Sequence, residues 1–280
     1  MGAIVLGDNR YGKAEIRLLR VTRGAAAHDI RDLTVSVALA GDFAPAHLEG
    51  DNSAVLPTDS QKNAVYAFAA DGPPGEIEDL GLRLARHFLA TSPAARRAQV
   101  RIDEHAWTRL DAHAFQAGAG GERRQACAIA EGDAAWVAAG LADLLVLKTA
   151  GSEFRGFARD RYTTLEETGD RILATAVTAR WRYASAEGHD WAAAHGRARQ
   201  AMLDAFAGRH SRSLQQTLYE MGRAVLEAVP GVAEIRLSLP NRHHFAMGSD
   251  DVFHVDDRPY GLIEGTVRRE GAPPGPPLDW

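Results

Sequence analysis

The sequence predicts an α+β protein built from two successive ββααββ units. Segments in which apolar and polar residues alternate, as in half-exposed strands, flank segments in which apolar residues recur at helical spacing. The same order of segments occurs twice within 280 residues, with a boundary near residues 130–135. We therefore expect an antiparallel sheet with the helices on one face, and units at residues 1–133 and 134–280.

The strands of the first unit are predicted from the alternation of apolar and polar residues, and its second helix from apolar residues at helical spacing. Ile16 and Leu18 alternate with charged residues in the first strand, and Leu80, Leu84 and Phe88 share one face of the second helix. The predicted elements are strands at 14–21 and 33–39, a helix from Thr58, a helix at 77–90, and strands at 100–107 and 124–130.

The second unit repeats this order. Leu214, Leu218, Met221 and Val225 form an apolar stripe along its second helix. The predicted elements are strands at 144–148 and around 173–181, helices at 191–207 and 213–229, and strands around 235–239 and at 261–268.

The polar stretch from Asp51 to Asn63 contains a predicted helix entrance. Pro57 ends the preceding extended segment, Thr58 is a candidate N-cap, and Gln61 completes a capping box three residues later. Because a helix N-terminus also presents free N–H groups, Thr58 and Asp59 are candidates for holding a small polar ligand.

Composition excludes several classes of protein. With 45% hydrophobic and 25% charged residues the chain has a globular composition, and its net charge of −5 argues against nucleic-acid binding. Cys127 is the only cysteine, which excludes an intrachain disulfide and a zinc cage of thiolates. The N-terminal apolar run is too short for a signal peptide or membrane span, so we expect no membrane association and a cytoplasmic location.

Three of the candidate residues admit ordinary structural explanations. Lys13 suits a solvated position at the start of a strand, Phe154 suits a core, and Arg171 suits a surface ion pair. A functional interpretation of each needs further support.

The extended segment LPNRHHF, at 239–245, argues against a histidine-based metal site. Neighbouring strand residues point to opposite faces, so Asn241 and His243 share one side while His244 takes the other. We therefore predict no metal.

Six stretches together resemble the cofactor-independent urate oxidases, including the bacterial members. They are NRYGKAEIRLLRV, DNSAVLPTDSQKNAVYAF, SEFRGFARDRYTTLEETGDRILAT, SLQQTLYEMG, LPNRHHF and DDRPYGLIEGTV. The resemblance runs from Asn9 to about Val267 in the family's order and approximate spacing. It implies two tandem tunnelling-fold units and a homotetramer that forms a hollow barrel.

The resemblance also implies how urate, a planar anion, is bound. Arg171 would supply a planar cationic fork, Gln215 would read the ring edge, and Phe154 would stack on the ring. Leu214 would contribute its backbone N–H. Thr58 and Asp59 would reach the opposite edge of urate from a neighbouring subunit.

The reaction implied is oxidation of urate by O₂ and water to 5-hydroxyisourate and hydrogen peroxide, with no metal or flavin. In the family Lys13, Thr58 and His243 form a proton relay, and Asn241 with Thr58 holds O₂ and later water. The segment Ala246–Asp251 departs from this pattern, because it is shorter than the corresponding bacterial loop.

Two other functions compete with urate oxidation. Another tunnelling-fold enzyme acting on a purine or pterin, such as a cyclohydrolase or pterin synthase, would need clustered metal ligands, and the histidines here are scattered. A non-catalytic scaffold of the same fold would be expected to lack part of the relay or the urate clamp, and this sequence retains every member.

Overall fold

The computed structural model describes residues 2–71, 75–118, 120–248 and 251–280. In chain order its elements are β1 (Tyr11–Arg23), β2 (His28–Gly41), α1 (Ala44–Leu48), α2 (Thr58–Ala70), α3 (Ile77–Thr91), β3 (Ala95–His105), β4 (Trp107–Asp111), β5 (Ala114–Ala117), β6 (Arg123–Glu131), β7 (Ala134–Lys148), β8 (Leu173–Tyr183), α4 (Trp191–Gly208), α5 (Leu214–Ala228), β9 (Val232–Ala246), β10 (Phe253–Asp256) and β11 (Leu262–Arg268).

One open antiparallel sheet organises the described residues. Its strands follow the order β1-β2-β3-β6-β7-β8-β9, and β9 pairs on its outer side with both β10 and β11. The strands β4 and β5 form a separate two-stranded sheet. The predicted antiparallel α+β fold is confirmed, and the sheet within one chain does not close into a barrel.

A row of directly opposite residues locates the core. The row consists of Val35, Ile102, Ala126, Ala139, Trp181 and Ile235, and all of them are buried. Opposite residues in a sheet share a face, and this row belongs to the same core as Leu84 of α3 and Val225 of α5. The prediction that the helices lie on one face is therefore confirmed.

Several elements differ from their predicted extents. The strand β7 starts at Ala134 instead of Leu144, because its first half is buried on both faces and so lacks alternation. The strand predicted at 100–107 is β3, which ends at His105, and Trp107 begins β4. The short α1, the β4–β5 hairpin and β10 were not predicted.

Among the described helices, none combines the length and apolar character required to cross a membrane.

Candidate functional site

Arg171 and Phe154 form the centre of one cluster of predicted site residues. The guanidinium carbon of Arg171 lies 5.1 Å from the centroid of the Phe154 ring, and Phe154 stacks on Phe157 with centroids 4.9 Å apart. Burial lowers the pKa of Arg171, and its buried Nε has no hydrogen-bond partner. Among the described residues no carboxylate forms an ion pair with Arg171, so the surface ion pair considered from sequence is not what the structure has.

The carboxylate of Asp170 joins the two segments that carry Phe154 and Arg171. Asp170 Oδ1 accepts hydrogen bonds from the backbone N–H of Ser152 and of Arg171, both at 3.0 Å. These bonds lower the pKa of Asp170, and the bond from Ser152 makes the largest contribution. Phe154 and Thr168 also exchange backbone hydrogen bonds at 3.0 and 3.1 Å. The arrangement fixes the cation against the aromatic ring.

The N-terminus of α5 is attached to the same loop. Ser211 donates its backbone N–H to Gly151 O at 2.9 Å and accepts from Glu153 N at 2.8 Å. Ser213 then caps α5 by accepting from Gln216 N at 3.2 Å. The first residues of α5 are Leu214, whose side chain is buried, and Gln215, whose side chain is exposed. Their backbone N–H groups belong to the helix turn that lacks intrahelical acceptors.

The strand β9 brings Asn241 and His243 to this edge of the sheet. Asn241 lies opposite Thr175 near the start of β8, the strand that follows Arg171, and its N–H donates to Gly261 O at 2.8 Å. His243 lies opposite Asp256 of β10, and its ring stacks on Phe245 with centroids 5.7 Å apart. No group of three or more His, Cys, Asp or Glu side chains in the described ranges could hold a metal.

Lys13, Thr58 and Asp59 form a second cluster. Lys13 lies opposite Val37, and a β-bulge interrupts the pairing between Lys13 and Ile16. Asp59 forms an ion pair with Lys62 and accepts a hydrogen bond from Asn63 at 3.2 Å. Lys62 is the main cause of the lowered pKa of Asp59, and the charge of Lys13 contributes as well.

The capping box predicted at the start of α2 is not formed. Pro57 occupies the N-cap position, no side chain caps the helix, and Thr58 is the first helical residue. Gln61 is fully buried and donates Nε2 to Leu56 O at 3.3 Å, so it does not reach back to the Thr58 backbone. The helix begins one residue earlier than a Thr58 cap requires, and the Thr58 hydroxyl is therefore not committed to a capping bond.

The two clusters lie near opposite ends of the strand order of the sheet. Lys13 is on the edge strand β1, whereas Asn241 and His243 are on β9. Six strand-to-strand steps separate β1 from β9, which at about 4.8 Å a step is roughly 29 Å along the sheet. One chain therefore does not bring the predicted site residues together.

Comparison with known proteins identifies the family. A family model described as Uricase matches residues 9–132 and 137–264. The uricase of Arthrobacter globiformis is 49% identical over 279 residues, covering 96% of this chain and 91% of that protein. The uricase of Dictyostelium discoideum is 38% identical, covering 94% of this chain and 96% of that protein.

The chain belongs to the uricase family.

The fold agrees with this membership. The crystal structure of Arthrobacter globiformis uricase superposes on the chain with a TM-score of 0.94 at 48% identity, over 99% of each chain. The likeness therefore extends through both halves of the sheet.

Sequence reasoning missed two supporting residues of this uricase-family chain. Asp170 stands inside a motif that sequence singled out, yet its hydrogen bonds to a loop distant in sequence are visible only in the structure. Tyr11 likewise stands inside NRYGK, and its hydroxyl accepts a hydrogen bond from Leu56 N at 2.9 Å. Only the polar character of these residues within the motifs could have drawn attention to them.

A cavity of about 480 Å³ lies between Arg97, Arg101 and Trp280. In the described part of the chain its lining includes none of the predicted site residues. Its lining does include Tyr11, Gly12 and Ala14, which flank Lys13 in β1.

Proposed function

We propose that the chain is a urate oxidase that converts urate, O₂ and water into 5-hydroxyisourate and hydrogen peroxide. The observation that carries this proposal is the half-buried Arg171 guanidinium, which lies over Phe154 with its buried Nε unpartnered among the described residues, in a chain of the uricase family. A planar organic anion complements both groups, because it can accept from the guanidinium fork while stacking on the ring.

The start of α5 completes the half of the site that holds urate. The exposed amide of Gln215 can donate to and accept from the pyrimidine edge of a purine, and the Leu214 N–H lies in the first helical turn, where it has no intrahelical acceptor. With Arg171, these groups match an anion whose edges alternate between donors and acceptors.

The chemistry starts with proton removal, because a more electron-rich urate gives up electrons to O₂ more easily. Lys13, Thr58 and His243 form the proposed proton relay, in which the amine and imidazole accept and return protons and the hydroxyl passes them on. Urate loses two electrons to O₂, which leaves as hydrogen peroxide, and water supplies the new hydroxyl oxygen. Asn241 and Thr58 hold O₂ and then water above the ring. No metal or flavin takes part in this scheme.

A complete site requires two chains. The separation of about 29 Å across the sheet supports a site in which Lys13, Thr58 and Asp59 come from one subunit and the Arg171 cluster from its neighbour. We propose a homotetramer with such shared sites, each chain contributing two tunnelling-fold units at 1–133 and 134–280. A cytoplasmic role in purine catabolism is part of the same proposal.

The test is the loss of the urate absorbance band under O₂ in a protein sample treated with chelator. Urate consumption with stoichiometric hydrogen peroxide, unaffected by the chelator, is the expected result. A metal-dependent purine or pterin enzyme would lose activity and regain it with added metal, and a scaffold would consume no urate.

A further inference from the structure

The Tyr11 hydroxyl connects the strand that carries Lys13 to the segment that leads into Thr58. Tyr11 Oη accepts the backbone N–H of Leu56 at 2.9 Å. Leu56 is followed directly by Pro57 and Thr58, so the bond holds the chain at the entrance to α2. The bond joins β1 to the segment before α2, and the sequence motifs do not specify how these two parts lie relative to each other.

The Leu56 peptide is held from its other side as well. Gln61, fully buried in the first turn of α2, donates Nε2 to Leu56 O at 3.3 Å. The Tyr11 ring is itself fixed, because it meets Phe43 edge-on with centroids 4.8 Å apart. Both backbone groups of Leu56 are thus satisfied by buried or half-buried side chains.

Lys13 needs this support because the pairing of its strand is interrupted. The β-bulge between Lys13 and Ile16 releases the regular register directly after Lys13, and Glu15 adopts a left-handed φ of 55°. A second link between α2 and β1, from Tyr66 Oη to Arg17 O at 3.4 Å, lies further along the helix. The Tyr11 bond is therefore the link that lies next to the two relay residues.

We propose that Tyr11 is a positioning residue that sets the Thr58 hydroxyl relative to the Lys13 amine for proton transfer. This inference rests on the proposed urate oxidase function. Proton transfer requires heavy atoms within hydrogen-bond reach, and a displacement of about 1 Å can cost roughly a hundredfold in rate.

The test replaces Tyr11 by Phe, which removes only the hydroxyl. Its matched control is Tyr66→Phe, which removes the other tyrosine hydroxyl between α2 and β1. We expect Tyr11→Phe to lower kcat by about tenfold or more, with KM for urate within about twofold. The kcat is expressed per site that binds a purine inhibitor, so that a loss of folded protein does not count as a loss of rate.

Two further readouts separate positioning from a general structural role. The solvent deuterium isotope effect on kcat should increase in Tyr11→Phe and stay at the wild-type value in Tyr66→Phe, because only the first makes proton transfer slower. In the Thr58→Ala background, adding Tyr11→Phe should cause little further loss, since Tyr11 acts through Thr58.

Three outcomes would overturn the inference: an unchanged kcat per inhibitor site in Tyr11→Phe, an equal loss in Tyr66→Phe, or fully additive losses with Thr58→Ala. Absence of urate oxidation in the wild-type protein would instead refute the proposed function. The two failures are therefore distinguishable.

Discussion

The Arg171 guanidinium lies 5.1 Å from the Phe154 ring centroid, and its buried Nε donates to no described group. The cation–π contact is favourable, but burial of the guanidinium and the unpartnered Nε cost free energy that an anionic ligand would offset. The backbone bonds of Asp170 keep the two side chains in this relation. The cluster therefore has the properties of a binding site for a planar anion.

Replacing Arg171 by Lys should weaken binding despite preserving the charge. An ammonium group cannot make the planar two-point contact of a guanidinium. We expect the Kd for urate and for purine inhibitors to rise by about tenfold or more, which is about 1.4 kcal/mol. Calorimetric titration with a purine inhibitor measures this Kd.

The matched control is Arg159→Lys, which changes the arginine that lies 5.0 Å over the neighbouring Phe157 ring. The affinity of Arg159→Lys for urate and for purine inhibitors should remain that of the wild type. Wild-type affinity in Arg171→Lys would remove Arg171 from the clamp.

Lys13→Met and Thr58→Ala should each depress kcat much more than KM. Both substitutions remove a member of the proposed relay while leaving the Arg171 cluster intact, and general acid–base groups typically contribute about a hundredfold or more. Steady-state kinetics of urate consumption gives the result. The exposed Thr108→Ala serves as the control, and a raised KM with unchanged kcat would contradict the relay.

A mixture of Thr58→Ala and Arg171→Ala chains should regain activity. If each site joins Thr58 of one subunit to Arg171 of another, random assembly restores about a quarter of the sites. The activity of chains unfolded together and refolded as a mixture measures this, against each variant refolded alone.

Thr58→Ala mixed with Lys13→Met is the control for this experiment. Both changes lie in the same cluster of one chain, so no mixed site can contain an intact pair. Full activity in a protein that remains monomeric by light scattering would rule out shared sites.

His195 should make the folded state less stable at mildly acid pH. Burial, followed by the nearby Arg124, lowers the pKa of His195 from 6.5 to about 4, and its imidazole is hydrogen-bonded to the Gly140 backbone. As the pH falls from 6.5 to about 4, the unfolded chain binds this proton before the folded chain does. Stability is therefore lost over this window, by up to about 3 kcal/mol.

His195→Gln should reduce that pH dependence. Denaturant unfolding at several pH values should show a smaller fall in the free energy of unfolding for His195→Gln than for wild type. The exposed His254→Gln is the control, and parallel curves for wild type and His195→Gln would contradict the assignment.

A longer loop between Phe245 and Val252 should leave urate binding nearly unchanged. The strands β9 and β10 pair on either side of this segment, where Ala246 lies opposite Phe253 and Met247 N donates to Val252 O at 2.8 Å. Ser249 and Asp250 lie outside the described residues. We expect an insertion to alter kcat or the stability of the proposed tetramer, because the segment closely follows Asn241 and His243.

Inhibitor titration measures the effect of this insertion on binding, and thermal unfolding of the assembled protein measures its effect on stability. Lost inhibitor binding with intact assembly would place the segment in the urate clamp.

Periodicity alone determined most of the elements of this protein. The alternation in β2 and in the first part of β9, and the apolar stripes of α3 and α5, arise from residues close in sequence that share one face. The six motifs likewise indicated the family from local strings of residues.

Contacts between distant segments required the tertiary structure. The early start of β7, the absence of a Thr58 cap, the Asp170 bonds and the Tyr11–Leu56 link each depend on partners that no local pattern specifies. The separation of Lys13 from Asn241 depends on strand order, because the two edges of an open sheet are set by pairing along its whole width. Local periodicity decides which face a side chain takes, whereas its neighbours are decided by the global packing of strands and helices.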